Sequence, residues 1–346
     1  MMPTEQQEPT RRRRGRWRLA AGGAAALGMV VALSVTGIAD RTHSANALED
    51  ALGGEQLRIM APAEPGGGWD QTSRAVQTAL GEIVGRTEVY NVGGAGGTIG
   101  LPQFVRHTGE ANNLMVTGAI MVGAILTNGS EATLDDVDML ARLTTEYLVI
   151  AVPADSPIQT MEDLADAMSD DVGSVSIAGG SAGGVEQVLT GLLAQAVGAD
   201  PREASYVAHS GGGEALTTML SGRATAGISG ISELAPYIQD GSMRALAVSS
   251  PERVEILPDV PTLRESGLDV ELQNWRGIAA PEGLTDDERA ALIGMLDEMR
   301  ESAAWRQILD DRGWEDAYLT GPELTEFLAT DQETTAQILE QIGLVK

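Results

Sequence analysis

The residues best placed to do chemistry are four glycine-rich segments: Pro65-Gly66-Gly67-Gly68-Trp69-Asp70, Gly93-Gly94-Ala95-Gly96-Gly97-Thr98, Gly179-Gly180-Ser181-Ala182-Gly183-Gly184 and Ser210-Gly211-Gly212-Gly213. Each stands between an apolar run that predicts a strand and a periodic run that predicts a helix. A helix N-terminus presents unpaired N–H groups and roughly half a positive charge. Glycine lets the backbone take positive φ and lets a ligand approach it closely. Such loops bind anions without help from a cationic side chain, and cationic side chains are scarce here, Lys346 being the only lysine. Arg74, one helical turn past Asp70, and Arg276 in Asn274-Trp275-Arg276-Gly277 are the two arginines that could meet a ligand; a surface ion pair is the first expectation for each. Asp70 is placed to cap a helix or fix its loop, and Trp69 to stand at a cleft wall.

Enzyme chemistry fits poorly. Gly179-Gly180-Ser181-Ala182-Gly183 matches the G-x-S-x-G elbow of serine hydrolases, but the one histidine downstream, His209, follows only 28 residues later with Asp200 before it. The His209-Ser210-Gly211-Gly212-Gly213 run that imitates an oxyanion hole lies after the serine rather than before it. No G-K-[ST] follows a glycine loop, the second loop lacks dinucleotide spacing, and three scattered histidines with no cysteine make no metal site. No catalytic residue, cofactor or metal is expected.

The elements that must carry these loops alternate. Strands are predicted at 57–61, 87–91, 114–118, 148–152, 175–178, 204–208, 224–228 and 244–249, and helices at 71–83, 99–107, 161–168, 185–197, 214–221 and 234–239. The last third reads as mostly helical, over 285–313 and 322–342, with Thr285-Asp286-Asp287-Glu288 as a capping box. Repeated β-loop-α units imply parallel sheet flanked by helices. Two runs of them imply two α/β lobes joined by crossing strands, residues 48–150 and 151–250, with 251–346 returning to the first lobe. The loops of both lobes would then meet in a cleft.

Composition narrows the setting. The chain of 346 residues has a net charge of −27 and a mean hydropathy of −0.05, which suits a folded, highly soluble protein and repels nucleic acid. Six arginines between Arg11 and Arg18, an uncharged apolar run from Leu19 to Ile38 and Ala45-Asn46-Ala47 form the order of a signal peptide over residues 1–47. Retained, the run is long enough to anchor the chain in a membrane. The expected location is therefore outside the cytoplasm, in the periplasm or on the outer face of the cell membrane.

Pro65-Gly66-Gly67-Gly68-Trp69-Asp70-Gln71-Thr72 resembles the first ligand loop of the tripartite tricarboxylate transporter substrate-binding proteins, the Bug-type family. Asn91-Val92-Gly93-Gly94-Ala95-Gly96-Gly97-Thr98-Ile99-Gly100 is similar to the family's N-x-x-G-A-G-G-x-x-G block, and Ser210 to Leu216, Arg244 to Ser249 and Leu257 to Thr262 resemble later blocks. Departures are Gly93, where many members have Pro, and Ala208-His209-Ser210, where many have Tyr-Lys. The resemblance implies a two-lobed type II periplasmic-binding-protein fold without catalysis. It implies capture of a small carboxylate, di- or tricarboxylate and citrate-like. It also implies delivery, as a monomer, to integral membrane transporter subunits, one large and one small. Carried over by position, the contacts fall at Gly66, Gly67, Gly68, Trp69, Asp70, Gly96, Gly97 and Thr98 in the first lobe. In the second they fall at Ser181, Ala182, Gly183, Gly184, Ser210, Gly211, Gly212 and Gly213. A ligand sensor for a membrane signalling protein, or a hydrolase on Ser181, are the competing expectations.

Overall fold

Two βα-built lobes share one long strand. The computed structural model describes residues 47–346, so the expected export signal, apart from Ala47, lies outside the described residues. In the first lobe β1 (Leu57–Ala61) pairs in parallel with β2 (Thr87–Asn91) and β3 (Asn113–Gly118). In the second, β5 (Ser176–Gly179) pairs in parallel with β6 (Ser205–Ala208) and β7 (Ala226–Gly230). The short apolar runs produce these strands as expected: Leu57 and Ile59 are fully buried, as are Ile177 and Ile228.

The lobes are joined by β4 (Val137–Pro153), of which the sequence showed only the apolar end. Val137 to Tyr147 pairs with β9 (Gln273–Pro281), while Leu148 to Pro153 pairs with β7 and with β8 (Met243–Val248), all antiparallel. The chain crosses back between β8 and β9. Ser249 ties the two crossings: its Oγ accepts from Leu148 N–H at 2.9 Å and donates to Leu272 O at 2.6 Å. Neither β9 nor β10 (Glu315–Leu319), which also pairs with β4, is among the expected strands, and both lie outside the helical stretches expected at 285–313 and 322–342. β9 buries Asn274 and Arg276 beside its apolar residues and β10 opens on Glu315 and Asp316, so neither shows a clean apolar run.

Helices differ less. The capping box at Thr285 is present, with reciprocal bonds to Glu288 opening the helix Asp286–Glu301. The helix Gly68–Leu80 begins three residues before the expected start. The expected 99–107 helix is broken into a single turn, Leu101–Phe104, between 3₁₀ segments. The helix Ala119–Asn128 follows β3 with no loop residue between and is apolar on most sides, so neither periodicity nor turn chemistry announces it. Among the described residues no helix is long and apolar enough to cross a membrane.

Candidate functional site

All four glycine loops reach one cavity between the lobes, of about 50 Å³. Gly67, Gly68, Trp69 and Gly96 line it from the first lobe, and Ser181, Ser210, Gly211 and Gly212 from the second. Three helices bring their N-terminal caps to it, Gly67, Gly211 and Gly230, and the helix capped by Gly184 reaches it through Glu186; none has a side-chain cap. Their first-turn N–H groups thus keep the unpartnered, electropositive character that favours an anion.

The same local device holds three of the loops. The N–H of Gly66 donates to Asp70 Oδ2 at 2.9 Å, that of Gly183 to Gln187 Oε1 at 2.8 Å and that of Ser210 to Glu214 Oε2 at 3.1 Å. In each case a side chain in the helix reaches back four residues and fixes the turn. Gly66 must turn at φ +89°, which explains why glycine stands there. Asp70 is buried and also bonds Asn91 and Arg74. Burial would raise its carboxyl, but the bonds from Arg74, Gly66 and Asn91 and the Arg74 charge hold it below the usual carboxylate value. Asp70 therefore sets the loop and does not line the cavity.

The other expected contacts that lie off the cavity have local roles. Gly97 packs against Trp69 and Met121. Thr98 donates to Ala95 O and accepts from Asn128. Gly184 caps its helix, while Ala182 and Gly213 are exposed. Gly183 meets Gly123 of the helix Ala119–Asn128 in a contact between the two lobes. The lobes also touch through the Gly96 N–H, which donates to Ser181 Oγ at 3.0 Å. That bond occupies a donor the sequence assigns to a ligand.

The acidic lining was missed. Glu186, in the first turn after the third loop, and Glu233, in the first turn after β7, both line the cavity. Burial pushes Glu186 up to about 7, reinforced by Glu233 and Glu146. Burial raises Glu233 as well, with Glu146 adding to it. A first-turn acid is so common in helices that neither position signals a site. Arg276 corrects an expectation: it is 3% exposed rather than a surface partner. Its guanidinium pairs with buried Glu146, donates to Gly68 O and Thr72 Oγ1 at 2.8 Å each, and lies over Trp314. Arg74 does form its expected pair with Asp70.

Ser181 has no base beside it. His209 bonds Gly179 O at 3.0 Å and Thr218 Oγ1 at 2.8 Å, so both ring nitrogens are engaged elsewhere. Among the described residues no group of His, Cys, Asp and Glu could hold a metal ion.

Residues 72–344 match the family described as "Tripartite tricarboxylate transporter family receptor". The chain belongs to that family, whose members are solute-binding proteins and not enzymes. It is similar to Protein BugT of Bordetella pertussis, 24% identical over 301 residues that cover 85% of this chain and 91% of that one. The structure of the periplasmic binding protein BugD superposes with a TM-score of 0.77 at 22% identity, covering 84% of this chain and 98% of BugD. MatC from Rhodopseudomonas palustris with bound malate gives 0.71 at 23% identity, covering 84% and 99%. These likenesses establish the two-lobed type II fold.

Proposed function

We propose that this receptor captures a small carboxylate in the cavity between its lobes. The observation that carries the reading is the convergence of three glycine-capped helix N-termini, those at Gly67 and Gly211 belonging to expected loops and the third at Gly230, on one cavity. Backbone N–H groups of Gly68, Trp69, Gly211 and Gly212 are the proposed carboxylate donors, with Gly96 and Ser181 joining when the ligand replaces their mutual bond. The malate in MatC, a relative by fold, supports a ligand of this class. The further steps are export from the cytoplasm and hand-over, as a monomer, to one large and one small membrane subunit; the family's description as a transporter receptor supports them.

Isothermal calorimetry against malate, succinate, citrate, tricarballylate and terephthalate tests the reading. Saturable binding of at least one with 1:1 stoichiometry is expected. Binding of a neutral sugar with none of the acids would refute it.

A further inference from the structure

The first-lobe and second-lobe walls of the cavity differ in charge. The first-lobe wall is built of backbone N–H groups, the Arg276 guanidinium and the indole of Trp69, whose Nε1 has no hydrogen-bond partner among the described residues. The second-lobe wall presents Glu186 and Glu233. Glu186 is 6% exposed and its Oε2 is unpartnered. That oxygen lies beside the glycines of its own loop: a Cβ on Gly180 would stand 3.4 Å from it and one on Gly184 3.0 Å. Glu233 accepts from Ser229 Oγ and lies between the lobes, with a Cβ on Gly68 falling 3.0 Å from its Oε1. Asn274, which lines the same cavity, has an unpartnered buried Oδ1, another acceptor.

The groups facing Glu186 are Glu233, Glu146, Arg276 and Tyr206. Arg276 lines the same cavity, pairs with Glu146 and donates to Gly68 O and Thr72; its Nε is unpartnered, and its charge favours the ionised form of both Glu186 and Glu233 against burial. Among the described residues neither Glu186 nor Glu233 has an ion pair or a hydrogen bond with a cation, since Arg276 makes its ion pair with Glu146. A buried carboxylate without a partner is costly, and a dianion laid against two of them would add like-charge repulsion. A ligand with a cationic nitrogen removes both problems.

We infer that Glu186 and Glu233 form a subsite for an ammonium group, so that the ligand is a small amino-carboxylate with its carboxylate on the glycine-loop N–H groups and its nitrogen on these two acids. This rests on the carboxylate reading above. Glu186 titrates near neutrality, and an arriving ammonium favours its ionised form, so binding at pH 7 releases protons from it. A dicarboxylate that instead accepts from a protonated Glu186 would take protons up.

Calorimetry of the purified protein at pH 7, in phosphate and in Tris, tests this with matched pairs: L-aspartate against succinate and L-glutamate against glutarate. Putrescine serves as an amine without a carboxylate. At least one amino acid is expected to bind tenfold or more tighter than its matched diacid, with net proton release. Glu186→Gln and, separately, Glu233→Gln should cut that preference at least tenfold. The wild-type pairs need no variant, so a misfolded mutant does not decide the matter. Diacids binding as tightly as their amino acids, or proton uptake with the preferred ligand, overturns the ammonium subsite and leaves the carboxylate reading standing. Putrescine binding alone removes the carboxylate reading and keeps the subsite. Binding of none of the five overturns the assignment.

Discussion

Replacing Glu186 by Gln should change how stability depends on pH, independently of any ligand. In the folded protein this carboxyl holds its proton up to about 7, against 4.5 for the free side chain. Between those values the folded form binds more protons than the unfolded form, so raising the pH draws the equilibrium toward unfolding. The stabilising effect of the bound proton is complete below 4.5, declines through the window and is gone above about 7. A span of about 2.5 units at about 1.4 kcal/mol per unit is roughly 3 kcal/mol. For a chain of this size that is about 6 °C in Tm, at about 2 °C per kcal/mol. Glu186→Gln keeps the shape and does not titrate. Differential scanning calorimetry of both proteins at pH 4.5, 6 and 8 should show the variant gaining on the wild type by about this amount as the pH rises. Glu233 shifts in the same direction but is present in both proteins, so to first order it cancels in the difference. A Tm difference that stays constant with pH, or falls, would refute the claim that burial holds the proton on Glu186.

Two further perturbations test the frame of the site. Arg276→Met leaves Glu146 buried without its cation, and urea denaturation should show a loss of about 3–5 kcal/mol. Adding Glu146→Leu should recover most of it, and no recovery would argue against the pair. Gly123→Ala should favour the helix Ala119–Asn128 by up to about 1 kcal/mol, yet its new methyl would meet the Gly183 carbonyl across the lobe contact. The expected result is unimpaired folding by circular dichroism with at least tenfold weaker ligand binding by calorimetry; unchanged affinity would mean the lobes need not approach here.

The site was legible in proportion to how local its devices are. The glycine loops announce themselves because the turn they make needs glycine: Gly94, Ala95, Gly96 and Gly97 all have positive φ, from 50° to 113°. The strands β1 and β2 were readable to the residue, since a short apolar run bounded by turns has few other folds. Arg276 was visible as a cation but misplaced to the surface. Its partner Glu146 lies 130 positions away, and nothing in either neighbourhood points to the other.

The sequence by itself determined the alternation of strands and helices and the glycine loops that open the helices. These follow from backbone rules that act within a few residues. Only the tertiary structure decided which loop residues face the cavity, that Ser181 occupies the Gly96 N–H, and that two acids line the second wall. Those facts depend on where β4 carries the chain from one lobe to the other. A carboxylate's cost and use are set by what surrounds it in space, and for Glu186 that surrounding comes from β4, β9 and the helix Ile231–Gln239.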